Sequence, residues 1–320
     1  MQLRRLTIVE IVMILCMVMA SAVALIPYCG DARGLARRLH CTSNLKQIML
    51  AIHNYHTVWN VLPPMASVLN NDFSMKARIL PFIEQIPLYN AINFSLTHDA
   101  PENATVRIVQ LNVLLCPSDP RTQSAATKPE SQPGFQSYPN NIGTYLNDTK
   151  GRLDGPAYVI GDAVNGKPIS FADMTDGTTL TALFAESSMG STASQHKTSQ
   201  IYWSSDSDTR PIPLNILATN CGAATEVASV SKGSDWLDQS CGRGGGYSHI
   251  MTPNTKACFF GNGGFARDRT MVGASSSHPG GVNVAMADGM IRFVKDSVSP
   301  TIWRGMSTIA GGESIDPESY

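Results

Sequence analysis

The chain opens on an apolar run, Leu6 to Ile26, preceded by Arg4 and Arg5 and carrying a single carboxylate, Glu10. As a helix, 21 residues rising about 1.5 Å each reach roughly 31 Å, the thickness of a bilayer core. An ionised group at the centre of such a span costs roughly 2.5–3.5 kcal/mol, and less near the interface. Glu10 therefore either snorkels or is reserved for a partner. Arg4-Arg5, the apolar run and Ala20-Ser21-Ala22 also fit a cleaved signal peptide, but the length of the run and the charge inside it favour an anchor or assembly helix. Arg4 and Arg5 favour a cytoplasmic N-terminus, whereas Arg33, Arg37, Arg38 and Lys46, just beyond the span, favour the reverse.

The helical pattern continues past the run. Cys41, Leu45, Ile48, Ile52 and Tyr55 recur at 4-3-4-3 spacing, one apolar stripe, and the helix is expected to stop at Leu62-Pro63-Pro64. His53 and His56 lie one turn apart without an acidic or thiol neighbour in sequence, which favours helix-surface polar contacts over a metal site. Ala77–Ala91 reads as a helix broken by Pro81 and Pro87. Ala104–Leu115 is apolar and β-branched and ends in a turn at Cys116–Pro120. Thr122–Ser137 and Ser187–Ser199 read as mobile surface loops, with short strands at Ala157–Ile160 and Thr179–Ala185 between them. Asp173 and Asp176 miss the calcium-loop spacing and are expected to cap and turn the backbone.

The clearest local pattern is C-terminal. Gly281–Ala287 alternates, Asp288-Gly289 follows, and Met290–Val294 alternates again. This predicts a hairpin with a type I′ turn, setting Met286 and Ala287 against Met290 and Ile291. A seven-residue strand spans roughly 23 Å, so His278 and Asp288 fall at opposite ends and form no acid–base pair within one subunit.

Composition narrows the function classes. A chain of 320 residues with 43% apolar residues can bury a large core, and a net charge of -1 with 15% charged residues gives no basic surface for nucleic acid and no acidic tail. Richness in Gly, Pro, Ser, Thr and Asn suits a loop-rich β structure outside the cytoplasm. Of the seven cysteines, Cys16 sits in the span, and Cys29, Cys41, Cys116, Cys221, Cys241 and Cys258 follow it without a Cys-x-x-Cys pair. On one continuous helix Cys29 and Cys41 stand about 18 Å apart, too far for a disulfide. Cys221 with Cys241, closing a Gly/Ser-rich loop, is the expected pair, and six buried thiols are the alternative.

Enzymatic signatures are absent: no Gly-x-Ser-x-Gly, no His-Glu-x-x-His, no P-loop and no dinucleotide fingerprint. Gly242–Gly246 lacks the Lys-Ser/Thr and apolar helix of a phosphate cradle. Asp206 and Asp208 read as a solvated turn, His249 and His278 lack a third catalytic member, and Ser275–Ser277 read as polar residues leading into a strand. No metal or cofactor is expected. Tyr202, Trp203, Trp236 and Tyr247 put aromatic rings in Gly/Ser-rich loops, as sugar sites do, or belong to a satellite core.

The N-terminus resembles the prepilin-type helix. With Leu6 as mature position one, Glu10 falls at five and Pro27 at twenty-two, as in type IV pilins and pseudopilins. Together with Cys41–His56, Leu80–Asn93, Leu114–Pro120, Phe171–Thr179 and Ser277–Val294, the ordered set resembles a large bacterial family of unknown function. That family has a prepilin-like N-terminus and a C-terminal His-x9-Asp-Gly signature, here His278, Asp288 and Gly289. Arg5 stands where prepilin peptidase prefers Gly. In pilins the cut frees an amine that the Glu of an incoming subunit can pair with, and buried charges need such partners.

The resemblance implies an α+β, pilin-like fold: a long, partly transmembrane N-terminal helix packed on an antiparallel β-sheet with long loops. It divides the chain into a cytoplasmic leader (1–5), a transmembrane helix (6–27), its extracytoplasmic continuation (28–60) and a globular ectodomain (61–320) with the hairpin at 281–295. It implies an N-in, single-pass protein of the bacterial cytoplasmic membrane. The expected partners are membrane lipid, copies of itself or other pilin-like subunits, and prepilin peptidase, with no nucleic acid. The expected function is a non-enzymatic assembly or surface component of a pilus-like or secretion-type apparatus; the alternative is an extracytoplasmic solute- or glycan-binding protein.

Overall fold

The computed structural model describes residues 7–68, 72–122, 131–144, 152–191, 197–206, 212–260 and 270–316; in the first helix the side chains of residues 20 and 22–33 are outside that description. Helix α1 is one element, Ile8–Trp59, of 52 residues, and runs through Pro27 without a break. Thr7 caps it: the Thr7 hydroxyl accepts the Glu10 N–H, and the Glu10 carboxylate accepts the Thr7 N–H at 2.7 Å. Asn60, in the left-handed conformation (φ 57°), ends it just before the two prolines. Among the described residues no helix is long and apolar enough to cross a membrane. The span expected over 6–26 is therefore not found among them; its residue 6 and the side chains of 20 and 22–26 lie outside the description.

The fold is α+β with several sheets. The strands, in chain order, are β1 (Ala66–Ser67), β2 (Asn140–Asn141), β3 (Val159–Ile160), β4 (Ala182–Ala185), β5 (Ile201–Trp203), β6 (Val227–Ser229), β7 (Gly246–Tyr247), β8 (Ala257–Phe259), β9 (Thr270–Met271), β10 (Gly281–Met286) and β11 (Ile291–Lys295). They form a five-stranded sheet in the order β11-β10-β4-β2-β7, a four-stranded sheet β6-β5-β8-β9, and the pair β1-β3. The expected single antiparallel sheet is corrected: β2–β7, β5–β8 and β1–β3 are parallel. Each parallel pair joins strands far apart in sequence, which leaves chain enough for the crossover that a parallel pair needs.

All six residues of β10 are buried because both faces of the sheet are covered. Ala285 joins Cys41, Leu45, Ile48 and Ile52 of α1 in one core. Val282, Val284 and Met286 point the other way, onto Trp303 of the helix Pro300–Gly305. The expected stripe on α1 is thus a core face, with Tyr55 half-buried at its end. The broken helix is seen as Met75–Ile79, a 3-10 turn Leu80–Ile83 and Ile86–Asn90, with Pro81 and Pro87 in first turns, where a missing N–H costs nothing.

The hairpin forms, with a different turn. The Met286 N–H donates to Met290 O and the Gly289 N–H to Met286 O, so Ala287, Asp288 and Gly289 make a three-residue loop with only Gly289 at positive φ (87°). The expected two-residue type I′ turn fails because the Asp288 N–H is taken by Thr178 O at 3.0 Å, and its carboxylate accepts the Met290 N–H at 2.8 Å. Ala285, not Ala287, faces Ile291.

Candidate functional site

Two disulfides tie the fold, Cys41–Cys116 and Cys221–Cys258. The expected Cys221–Cys241 bond is corrected: Cys221 pairs with Cys258, and Lys256, two residues before Cys258, donates to Gly222 O and Ala224 O at the end of the helix Leu214–Ala223 that carries Cys221. Cys41, on the buried stripe of α1, reaches Cys116 at the end of the 3-10 turn Asn112–Leu114. Asn44, nearly one turn on, fixes that approach by donating to Leu115 O at 2.7 Å.

Around the Cys41–Cys116 bridge the chain gathers a buried polar site. Glu186 directly follows β4, and Asn283 of β10 clamps its carboxylate from the neighbouring strand, through its N–H (3.0 Å) and its side-chain amide (2.9 Å). His278, in the loop before β10, puts Nε2 3.3 Å from Glu186 Oε1 and 3.8 Å from Cys116 Sγ. A small pocket opens beside them, lined by Asp119, Ser137, Ser187, Ser188 and Ser275–Ser277 with Cys116 and Glu186. The expectation of a surface loop over Ser187–Ser199 is corrected at its start, because Ser187 and Ser188 are buried along this pocket and Met189 is buried with Leu115 and Phe135.

Lys232 enters from behind, donating to Ser275 Oγ at 2.7 Å and to Thr198 O at 2.9 Å. Burial pushes its ammonium down to about 7, against the opposing pull of Asp119. Burial also raises the Asp119 carboxyl, although it accepts the N–H groups of Met189 and Arg121. The site places two sulfurs, an imidazole and a carboxylate together.

A second cluster lies elsewhere. His98 Nδ1 meets Asp72 at 2.8 Å, and its Nε2 lies 3.7 Å from Asp235 and 3.8 Å from Asp238. Arg107 holds Asp235 at 2.6 Å, and Arg243 approaches Asp238 at 3.4 Å. Burial pulls the His98 pKa down, but the hydrogen bond to Asp72 and the charges of Asp238, Asp235 and Asp72 outweigh it and raise the value. With His98 protonated, three carboxylates face three cations, an ion-pair hub that holds itself together. Nearby, Lys76 is fully buried and donates to Gly244 O and Gly245 O, and burial lowers it to about 7. The Gly242–Gly246 run is thus a packing element: a Cβ at Gly244 would meet Asp235 O at 1.9 Å.

The remaining sequence candidates separate. His278 and Asp288-Gly289 sit at opposite ends of β10, as strand length requires. His53 and His56 flank Phe171, ring centroids 4.7 and 4.6 Å away. His249 is buried, stacked on Trp303 at 3.8 Å, and burial lowers its pKa to about 3. Asp173 caps with Ser170, and Asp176 accepts the N–H groups of Gly311 and Gly312. Asp206 accepts from Asn220 at 2.6 Å, so the solvated-turn expectation fails there, while Asp208 lies outside the described residues. Trp236 and Tyr247 are core residues, Trp236 donating to Val109 O at 2.8 Å. Arg38 covers the Phe293 ring at 3.8 Å, tying α1 to β11. Arg5 and Leu6 lie outside the described residues, and Pro27 is described in its backbone alone.

Glu186 is the residue that sequence reasoning missed. Its one signal was position: a carboxylate closing the apolar run Leu183-Phe184-Ala185, where an ionised group needs a buried partner. A family model matches residues 30–301, beginning after the apolar run and spanning every residue of this site. No curated protein and no solved structure matches the chain. With most of its 320 residues matched, the chain belongs to the family described as "Protein of unknown function (DUF1559)".

Proposed function

We propose that the chain is a non-enzymatic, membrane-anchored, pilin-like subunit. Its N-terminus lies in the bacterial cytoplasm and its domain outside, and it serves in assembly or at the surface of a pilus-like or secretion-type apparatus. The observation that carries this reading is the division of α1. From Cys41 onward its apolar face is buried by the domain, whereas the large apolar side chains from Ile8 to Met19 are 44–81% exposed. Leaving apolar surface in water costs roughly 25 cal/mol per Å², and a continuous patch of this kind marks an interaction surface. Lipid and copies of the same helix supply the chemistry that covers it.

Glu10 suits that setting. Its carboxylate is held by the Thr7 N–H and hydroxyl, so the charge enters the interface already hydrogen-bonded. The same carboxylate can exchange Thr7 for the N-terminal amine of a neighbouring subunit. Leader removal is tested by mass spectrometry of the native N-terminus: a chain starting at Leu6 supports the processed, assembling form, and an intact Met1–Arg5 leader excludes classical maturation. The solute- or glycan-binding alternative draws no support from Trp236 and Tyr247, which are buried.

A further inference from the structure

We propose that Cys41, Cys116, Glu186 and His278 form a redox-gated zinc site, shut while the two cysteines are bonded and able to take one Zn²⁺ when they are reduced. This goes beyond the assembly role and stands whether or not α1 enters a membrane.

The geometry carries it. One ligand atom from each of the four residues lies within 4.8 Å of the others, and all four residues are buried. A tetrahedral zinc with bonds of about 2.0–2.3 Å sets its ligands roughly 3.3–3.8 Å apart. His278 Nε2 to Glu186 Oε1 is 3.3 Å, Cys116 Sγ to His278 Nε2 is 3.8 Å, and Cys116 Sγ to Glu186 Oε1 is 4.0 Å. Three edges of the tetrahedron are thus close to place, and the sulfur–sulfur edge is the one that reduction lengthens. Two thiolates, one imidazole and one carboxylate suit zinc, a borderline-soft ion, better than calcium or magnesium. Asn283 already orients the carboxylate through two hydrogen bonds, as outer-shell partners of metal ligands do.

The chemistry balances. A dithiol reductant gives two electrons and two protons to the cystine, becoming a disulfide itself while Cys41 and Cys116 become thiols. Zn²⁺ then displaces both thiol protons to solvent and takes His278 through neutral Nε2. Thiol–disulfide exchange with a small-molecule disulfide reverses this: that disulfide takes the two electrons and two solvent protons to become two thiols, the Cys41–Cys116 bond reforms, and Zn²⁺ leaves to solvent.

The test is alkylation mapping on the full chain. The protein is reduced, given one equivalent of Zn²⁺, treated with iodoacetamide and digested for mass spectrometry. Zinc is expected to slow modification of Cys41 and Cys116 by at least about tenfold, to leave Cys221 and Cys258 reactive, and to lose this effect in His278→Ala. Retention of both disulfides in oxidised His278→Ala serves as its folding control. Should that variant misfold, Co²⁺ in the reduced wild-type chain gives a second readout, a thiolate-to-metal charge-transfer band that the oxidised chain lacks. Equal alkylation with and without zinc, protection that persists in a folded His278→Ala chain, or absence of the cobalt band overturns the proposal.

Discussion

His278 and Asp288 serve opposite ends of one strand: His278 pairs with Glu186 at 3.3 Å where the chain enters β10, and Asp288 closes the turn that leaves it. Between them β10 is buried on both faces, with α1 on one side and the helix Pro300–Gly305 on the other. The two motif residues therefore flank β10, and a small pocket lies at the His278 end, beside Glu186 and Ser275–Ser277.

Asn283→Ala tests the clamp on Glu186. Removing the side-chain amide leaves Oε1 of the fully buried Glu186 short of a donor. A loss of about 2 kcal/mol in urea unfolding is expected, since an unsatisfied buried acceptor costs about 1–3 kcal/mol. A change within error of zero contradicts the clamp.

Gly289→Ala tests the turn. Gly289 has φ 87°, and an added Cβ would stand 3.6 Å from His53 Nε2, an ordinary contact. The expected cost is backbone strain of about 1–2 kcal/mol, read as a lower midpoint with the same m-value. Asn at the same position should recover part of the loss, because it tolerates the left-handed region.

His98 sets a pH dependence. Its folded pKa is raised above the unfolded value, so its pairing stabilises fully below about pH 6.5 and is lost as pH rises through the folded pKa. Asp72, held below its ordinary value chiefly by His98 despite burial, acts in the opposite sense: its contribution is present above its unfolded pKa and lost as pH falls through the folded one. Thermal midpoints of wild type and His98→Gln should therefore converge as pH rises above neutrality. A constant difference from pH 5 to 9 excludes the hub as a titrating unit.

Lys232 and Lys76 add a second, opposite slope. Each is lowered to about 7 by burial, so the unfolded chain binds more protons than the folded one between about pH 7 and the unfolded value near 10.4. Their penalty is full below that window and fades across it. Lys232→Met should flatten the rise in stability between pH 7 and 10; an unchanged slope means that Lys232 does not titrate there.

Local patterns were legible and long-range partners were not. The stripe Cys41-Leu45-Ile48-Ile52 announces a helix face because the period is written in consecutive turns, and Asp-Gly announces a hairpin because turn chemistry is local. The turn type is not local: it depends on Thr178, far upstream, which claims the Asp288 N–H. The partner of Cys221 is equally non-local: Lys256 brings the Cys258 strand to the end of the Cys221 helix across more than thirty residues of chain. Glu186 meets His278 only once β4 lies beside β10, so no spacing in the sequence records the site.

Assembly through the apolar half of α1 is open to test at Cys16, a native handle exposed on the helix six residues beyond Glu10. Bismaleimide cross-linking of the full chain in its native membranes should give a Cys16–Cys16 dimer that Cys16→Ser and Glu10→Ala both lose. A dimer that persists unchanged in Glu10→Ala, or a chain recovered as uncross-linked monomer in the aqueous fraction, contradicts assembly through α1.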